Sequence, residues 1–314
     1  MVVAAFVHFY VPFRNAGSET MLHCALRRLV DDGHEVVVFA TIIPDAPESY
    51  LIDGVTVVRT NSLLARQQLR QLSPDVIVTH HHNTPAAVAT AKKIGAKSVF
   101  LMHNDFEENR RYLGCNPDLV VFNTEWIREA SGYTGPSVVI HPPVVAGDHR
   151  TTPGDKVTLV NLNKDKGAEL FYRAAEAMPD ISFLGVVGGH GEQIVRSLPN
   201  VEIQGHTSDM VNDVWSRTRI LLMPSAYESY GMAGVEAMAS GIPVIANGTP
   251  GLHESLSYAG IFVPRADEHL LHSEIRRLQN HHEWSEASEL AVKRSNELDP
   301  TVELNEWVSR IEHL

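Results

Sequence analysis

The sequence predicts an α/β protein built from two doubly wound, parallel-sheet (Rossmann-like) domains that face each other across a cleft. Three observations carry this. Short runs of β-branched residues recur along the chain, and most are continuously apolar rather than alternating, as strands covered by helices on both faces must be. Amphipathic stretches such as 18–32 and 267–280 separate them, and strand, helix, strand in repetition means parallel sheets wound by right-handed crossovers. Third, the chain has 314 residues, and a stretch rich in Pro, Gly and polar residues, HPPVVAGDHRTTPGDK at 141–156, lies near its middle. At roughly 150 residues per domain, two sheets fit this length better than one very wide sheet.

In order, the first half offers the strands VVAAFVHF, EVVVFATI, VTVVRT, DVIVTH, SVFLMH, LVVFNT and SVVIHP. The opening MVVAAFVHFYVPF has no basic leader before its apolar run and reads as a buried first strand, not as a signal peptide. The second half offers VTLVNL, ISFLGVV, VEIQG, RILLMPS, PVIAN and GIFVP. After Asp299-Pro300 a last helix begins, because Leu304, Trp307, Val308 and Ile311 repeat at i, i+3, i+4, i+7. The expected division is 1–147, 148–300, and a final helix 301–314 that needs a surface to cover its apolar face.

Composition narrows the class of partner. With 26 Lys+Arg against 38 Asp+Glu the formal net charge is −12, which excludes the broad basic face of a nucleic-acid binder. Two cysteines, Cys24 and Cys115, make no disulfide framework and fit a reducing cytoplasm. No run of 18 apolar residues is long enough to span a bilayer.

The richest chemistry lies in PSAYESYGMAGVEAMASGIPVIANGTPG, 224–251, which reads as strand end, loop, helix opening near Gly231, and strand. Backbone N–H groups of Ser229, Tyr230, Gly231 and Met232 at that helix start suit a phosphate. Glu228 before the helix and Glu236 inside it repel phosphate but accept hydrogen bonds from paired hydroxyls, as on a ribose or a hexose. Helix-dipole preference accounts for one glutamate near a helix start, not for both. Two carboxylates flanking one anion site point to a sugar on each side of a pyrophosphate.

These residues also carry a resemblance. Glu228 to Glu236, followed by Ala-Met-Ala-x-Gly-x-Pro-Val-Ile-Ala at 237–246, resembles the retaining glycosyltransferases of family 4, which have the GT-B fold. Gly17-Ser18-Glu19 resembles that family's Gly-Gly-x-Glu loop with Ser18 in place of a glycine, and His103 resembles its His-Asp motif with Asn104 in place of the acid. Ile140-His141-Pro142-Pro143-Val144, Gly188-Gly189-His190-Gly191, Gly205-His206 and Pro224-Ser225 fall in the family's order, so the resemblance covers nearly the whole chain.

The resemblance implies a hexosyltransferase-type activity on a nucleoside-diphosphate sugar, with the acceptor (small molecule, lipid or glycan) left open. It implies that Glu236 holds the ribose hydroxyls, that Glu228 and the following amides hold the donor sugar and pyrophosphate, and that His206 edges the base. Gly17 and Gly189 would let backbone approach the ligand, and His103 would stand at the reaction centre. It also implies a last helix that runs back onto the first domain. The family's cationic pair is altered: Lys166-Gly167 is present, but Asn161 stands where an Arg is usual, with Lys164 as a possible second cation. The expected mechanism is front-face attack, with Lys166 and the amides stabilising the leaving diphosphate and neither metal nor cofactor required.

Other readings are weaker. His80-His81-His82 follows the strand DVIVT, so alternation would send the three imidazoles to opposite sides, and no Cys-x-x-Cys or His-Glu-x-x-His spacing supports zinc. Gly188-Gly189-x-Gly191 lacks the third glycine of a dinucleotide loop, since Ile194 holds that position. The functional alternatives are a nucleotide-sugar epimerase of the same architecture, or a nucleotide-sugar-binding protein weakened in catalysis by Asn161.

Overall fold

A computed structural model describes residues 1–314 apart from Asn15 and His190, so the histidine of the Gly188–Gly191 loop lies outside the described residues. The chain divides into two compact units, Met1–Pro143 with Pro300–Leu314, and Val144–Asp299.

In the first unit, eight strands lie in the order β3-β4-β2-β1-β5-β6-β7-β8. They are β1 (Val2–Val7), β2 (Glu35–Ala40), β3 (Ser49–Ile52), β4 (Val55–Arg59), β5 (Val76–His80), β6 (Lys97–Met102), β7 (Leu119–Phe122) and β8 (Ser137–Val139). All pairings are parallel except β3 with β4. Strand β1 is apolar throughout because both faces are covered: Val3, Ala5 and Val7 join one core with Leu22 and Leu26, while Ala4 and Phe6 join another with Ile77. The antiparallel edge strand β3 is absent from the sequence reading. Its signal is the Asp53-Gly54 pair, whose positive φ values (46° and 78°) make the two-residue turn that right-twisted hairpins favour.

The last helix, Thr301–Glu312, buries Trp307, Val308 and Ile311 in the core of this first unit. Trp307 Nε1 donates to Ala25 O at 2.8 Å, and Glu303 accepts from the His141 backbone N–H at 2.6 Å.

The second unit holds six parallel strands in the order β11-β10-β9-β12-β13-β14. These are β9 (Lys156–Val160), β10 (Phe183–Val186), β11 (Val201–Gln204), β12 (Thr218–Met223), β13 (Val244–Ala246) and β14 (Gly260–Phe262). Its two cores lie on opposite faces of the sheet, with Val157, Leu159 and Leu222 on one and Leu184, Leu221 and Met223 on the other. In both units the winding direction reverses beside the first strand, between β1 and β5 and between β9 and β12. Loops leaving the carboxyl ends of such a pair part to opposite faces and leave a crevice for ligands.

Candidate functional site

At the crevice of the second unit, the loop after β9 carries Asn161, Lys164 and Lys166, and the loop after β12 carries Glu228. The structure brings Lys166 and Glu228 together: Lys166 Nζ forms an ion pair with Glu228 Oε1. Ser225 Oγ donates to the same oxygen at 2.8 Å. The Glu228 side chain is only 12% exposed and that of Lys166 31%, so solvent screens this pair less than a surface pair. The two loops are also tied through their backbones, since Ala226 N–H donates to Asp165 O at 2.8 Å. Asn247 Nδ2 donates to Ser225 O (2.9 Å), and Arg265 Nη2 to Lys164 O (2.7 Å). The Lys164 side chain itself is exposed.

Gly231 precedes the helix Met232–Ala239 at φ 89°, a left-handed conformation that places the chain at the helix mouth. The N–H groups of Gly231 and Met232 have no acceptor among the described residues. Ser229 stands partly covered in the same loop, whereas the ring of Tyr230 is 3% exposed and packs in the core, leaving only its backbone for a ligand. Glu236 sits on this helix, partly covered and without a hydrogen-bond partner among the described residues, and burial pushes its carboxyl up to about 7.

Asn161 is held in a left-handed conformation (φ 69°), and its Oδ1 accepts from Gln193 Nε2 (2.8 Å) and Asn163 Nδ2 (3.1 Å). It lies against Gly188, where an added Cβ would come within 2.2 Å of Asn161 Cγ. His206 is exposed and borders Gly189, from which a Cβ would lie 3.6 Å away. Thus Asn161, Gly188, Gly189 and His206 form the rim beside β10, while Lys166 and Glu228 form the centre.

Gly17 and His103 belong to the first unit. Gly17 opens the helix Gly17–Asp31, whose Glu19 is buried; burial raises its carboxyl, against the hydrogen bond from Ser18 Oγ (3.0 Å). His103 follows β6 and is buried, its Nε2 lying 3.0 Å from His80 Nδ1 in a hydrogen bond between the two rings. Strand alternation does not extend past His80, although among the described residues His82 stays outside the group formed by His80, His81 and His103. Strand β5 ends at His80, and His81 turns at φ 52° into a 3-10 helix, so His80 and His81 both approach His103. Burial first, and then the neighbouring imidazoles, hold His80 and His103 well below the usual histidine range and bring His81 to about 4.

With this geometry in view, the comparisons are specific. The family model for "Glycosyltransferase Family 4" matches residues 16–146, and that for "Glycosyl transferases group 1" matches 156–281. The chain belongs to the family 4 glycosyltransferases. No curated protein sequence gives a significant match. Among solved structures, HepE from Anabaena in complex with UDP-glucose shares 16% identity with a TM-score of 0.79, covering 99% of this chain and 100% of that one. A glycosyltransferase from Rickettsia africae shares 15% identity with a TM-score of 0.77 over 99% of this chain and 98% of that one. The sucrose-phosphate synthase of Thermosynechococcus elongatus shares 16% with a TM-score of 0.74 over 95% of each. These likenesses show that this glycosyltransferase has the GT-B fold.

Several residues that shape this glycosyltransferase's candidate site escape sequence reasoning. Gln193 and Asn163 fix Asn161, Asn247 and Arg265 brace the two loops, and Ser225 holds Glu228. Only Ser225 has a local signal, since it follows β12 within three residues of Glu228. Asn163 lies two residues from Asn161, whereas Gln193, Asn247 and Arg265 come from segments distant from the loops they brace.

Proposed function

We propose that this glycosyltransferase moves a sugar, with retention of anomeric configuration, from a nucleoside-diphosphate sugar to a hydroxyl of a small-molecule, lipid or glycan acceptor. The observation that carries the donor class is the arrangement at one helix mouth: a lysine, two backbone N–H groups without acceptors among the described residues, and a carboxyl on either side. Lys166 and the amides suit a diphosphate, because charge grows there as it departs. Glu236, partly covered and without a hydrogen-bond partner among the described residues, suits the ribose diol, and Glu228 the hydroxyls of the transferred sugar. The UDP-glucose complex of the structurally similar HepE supports the same donor class.

Retention follows a front-face course in this reading. The bond from the anomeric carbon to the phosphate oxygen breaks, the acceptor oxygen bonds to the same face, and the departing phosphate oxygen takes the acceptor's proton. In this reading charge stabilisation by Lys166 makes a metal unnecessary at the diphosphate.

The decisive experiment is calorimetry with UDP, GDP and ADP sugars on the parent protein and Glu236→Ala. One donor binds the parent, and Glu236→Ala weakens it at least tenfold, in line with loss of hydrogen bonds to a charged group worth about 1.5–3 kcal/mol. Unchanged affinity would remove Glu236 from the site and with it this reading. Donor incubated without acceptor stays unconverted, whereas an epimerase would convert it.

Asn161 favours a second reading, a nucleotide-sugar-binding protein weakened in catalysis. The side chain that replaces the family's arginine is uncharged and committed to Gln193 and Asn163. Measured transfer by the parent protein to any acceptor rules this reading out.

A further inference from the structure

The crevice of the first unit is lined by histidines, of which the family resemblance assigns only His103 to the transfer. His8 follows β1, His80 ends β5, and His103 follows β6, with His81 and His82 beside them. Ring centroids of His8 lie 5.4 Å from those of His80 and His81 and 4.4 Å from that of His82. We propose that His80, His81 and His103 hold one late first-row divalent cation, Zn2+ foremost, through one ring nitrogen each.

Geometry carries this. Candidate ligand nitrogens of the three residues all lie within 4.8 Å of one another. Zn–N bonds of about 2.0–2.1 Å in a tetrahedron set nitrogens ~3.4 Å apart, and His80 Nδ1 and His103 Nε2 already lie 3.0 Å apart in a hydrogen bond whose proton a metal would replace. His80 Nε2, and Nδ1 of His8 beside the triad, are buried without a hydrogen-bond partner among the described residues, a costly state for a polar atom. The position repeats the switch point that takes ligands in sheets of this winding. Access runs past His81 and His82, which are partly covered and exposed respectively.

The donor set selects the ion. Imidazoles suit Zn, Cu, Ni and Fe, whereas Mg2+ and Ca2+ require oxygen ligands, and no carboxylate belongs to this triad. Burial keeps the rings neutral, which leaves lone pairs for a metal. The proposal rests on residues of the first unit, shares His103 with the role implied by the resemblance, and is read by metal binding, which does not depend on the donor assignment.

The test is a Co2+ titration of the metal-free full chain at pH 7, read by visible absorption and followed by Zn2+ displacement. One equivalent binds with the strong bands of tetrahedral cobalt, and Zn2+ displaces it. His81→Asn, chosen because asparagine tolerates the left-handed conformation, weakens binding on the order of 100-fold, while His282→Ala on an exposed helix leaves it unchanged. His103→Asn repeats the measurement should His81→Asn fail to fold. Absence of saturable binding, weak octahedral bands, or binding that survives both triad variants would overturn the proposal.

Discussion

Glu236 illustrates how one partly covered, desolvated carboxyl links structure to a measurable pH dependence. Its pKa is raised by burial to about 7, so at pH 6 roughly a tenth of the molecules carry the charge and at pH 8 roughly nine tenths. A ribose diol donates to the ionised form. Apparent affinity scales with the competent fraction, so donor binding strengthens about tenfold from pH 6 to pH 8. A nucleoside-diphosphate sugar is the proper probe, because its phosphates stay charged throughout. Glu236→Gln flattens the profile in calorimetry, and an equally steep profile in that variant would assign the titration elsewhere. For stability the sign is opposite: the folded state holds this proton more tightly, so stability declines as pH rises from 4.5 through about 7. The carboxyl pair Glu228 and Glu236 is legible in sequence because both lie in one local segment, loop then helix. The confinement of Asn161 is not legible, because Gln193 and Gly188 arrive from another loop.

The elements that aim the site are loops held by close backbone approach. Gly251, the second residue of the helix Pro250–Leu256, lies directly against the Glu228 loop, where a Cβ would come within 2.3 Å of Ser229 O and 2.5 Å of Glu228 O. Backbone cannot yield as a flexible side-chain tip can. Gly251→Ala therefore displaces the loop, at a cost of about 1–3 kcal/mol in stability, and weakens donor binding at least tenfold by calorimetry. Gly147→Ala, where a Cβ meets nothing within 4 Å, is the neutral control. Strand positions were readable because continuous apolar runs mark buried parallel strands. The short edge strand β3 was not, since Ser49–Ile52 alternates between exposed and partly covered residues and depends on pairing with β4. His81 belongs to the same class: its direction follows from where β5 stops, which no periodicity specifies.

On the scale of the whole molecule, the final helix joins the first unit although it follows the second in sequence. Trp307 is 1% exposed, packed in the core that includes Leu22, Leu26 and Ile311. Trp307→Ala costs about 3–5 kcal/mol, measured by urea unfolding, while Val302→Ala on the 77% exposed face of the same helix stays within about 0.5 kcal/mol. An equal effect of the two substitutions would mean that the helix does not dock. The amphipathic spacing of Leu304, Trp307, Val308 and Ile311 required a partner surface without naming it. That division holds for the entire chain. Sequence alone determined the two parallel α/β sheets and the glutamate-bearing loop and helix, because apolar periodicity and local motifs act over a few residues. Tertiary structure alone decided that Lys166 meets Glu228 across 62 positions and that three histidines from two strand ends converge. Those contacts depend on strand order and on where each strand ends, which are settled by packing the sheet.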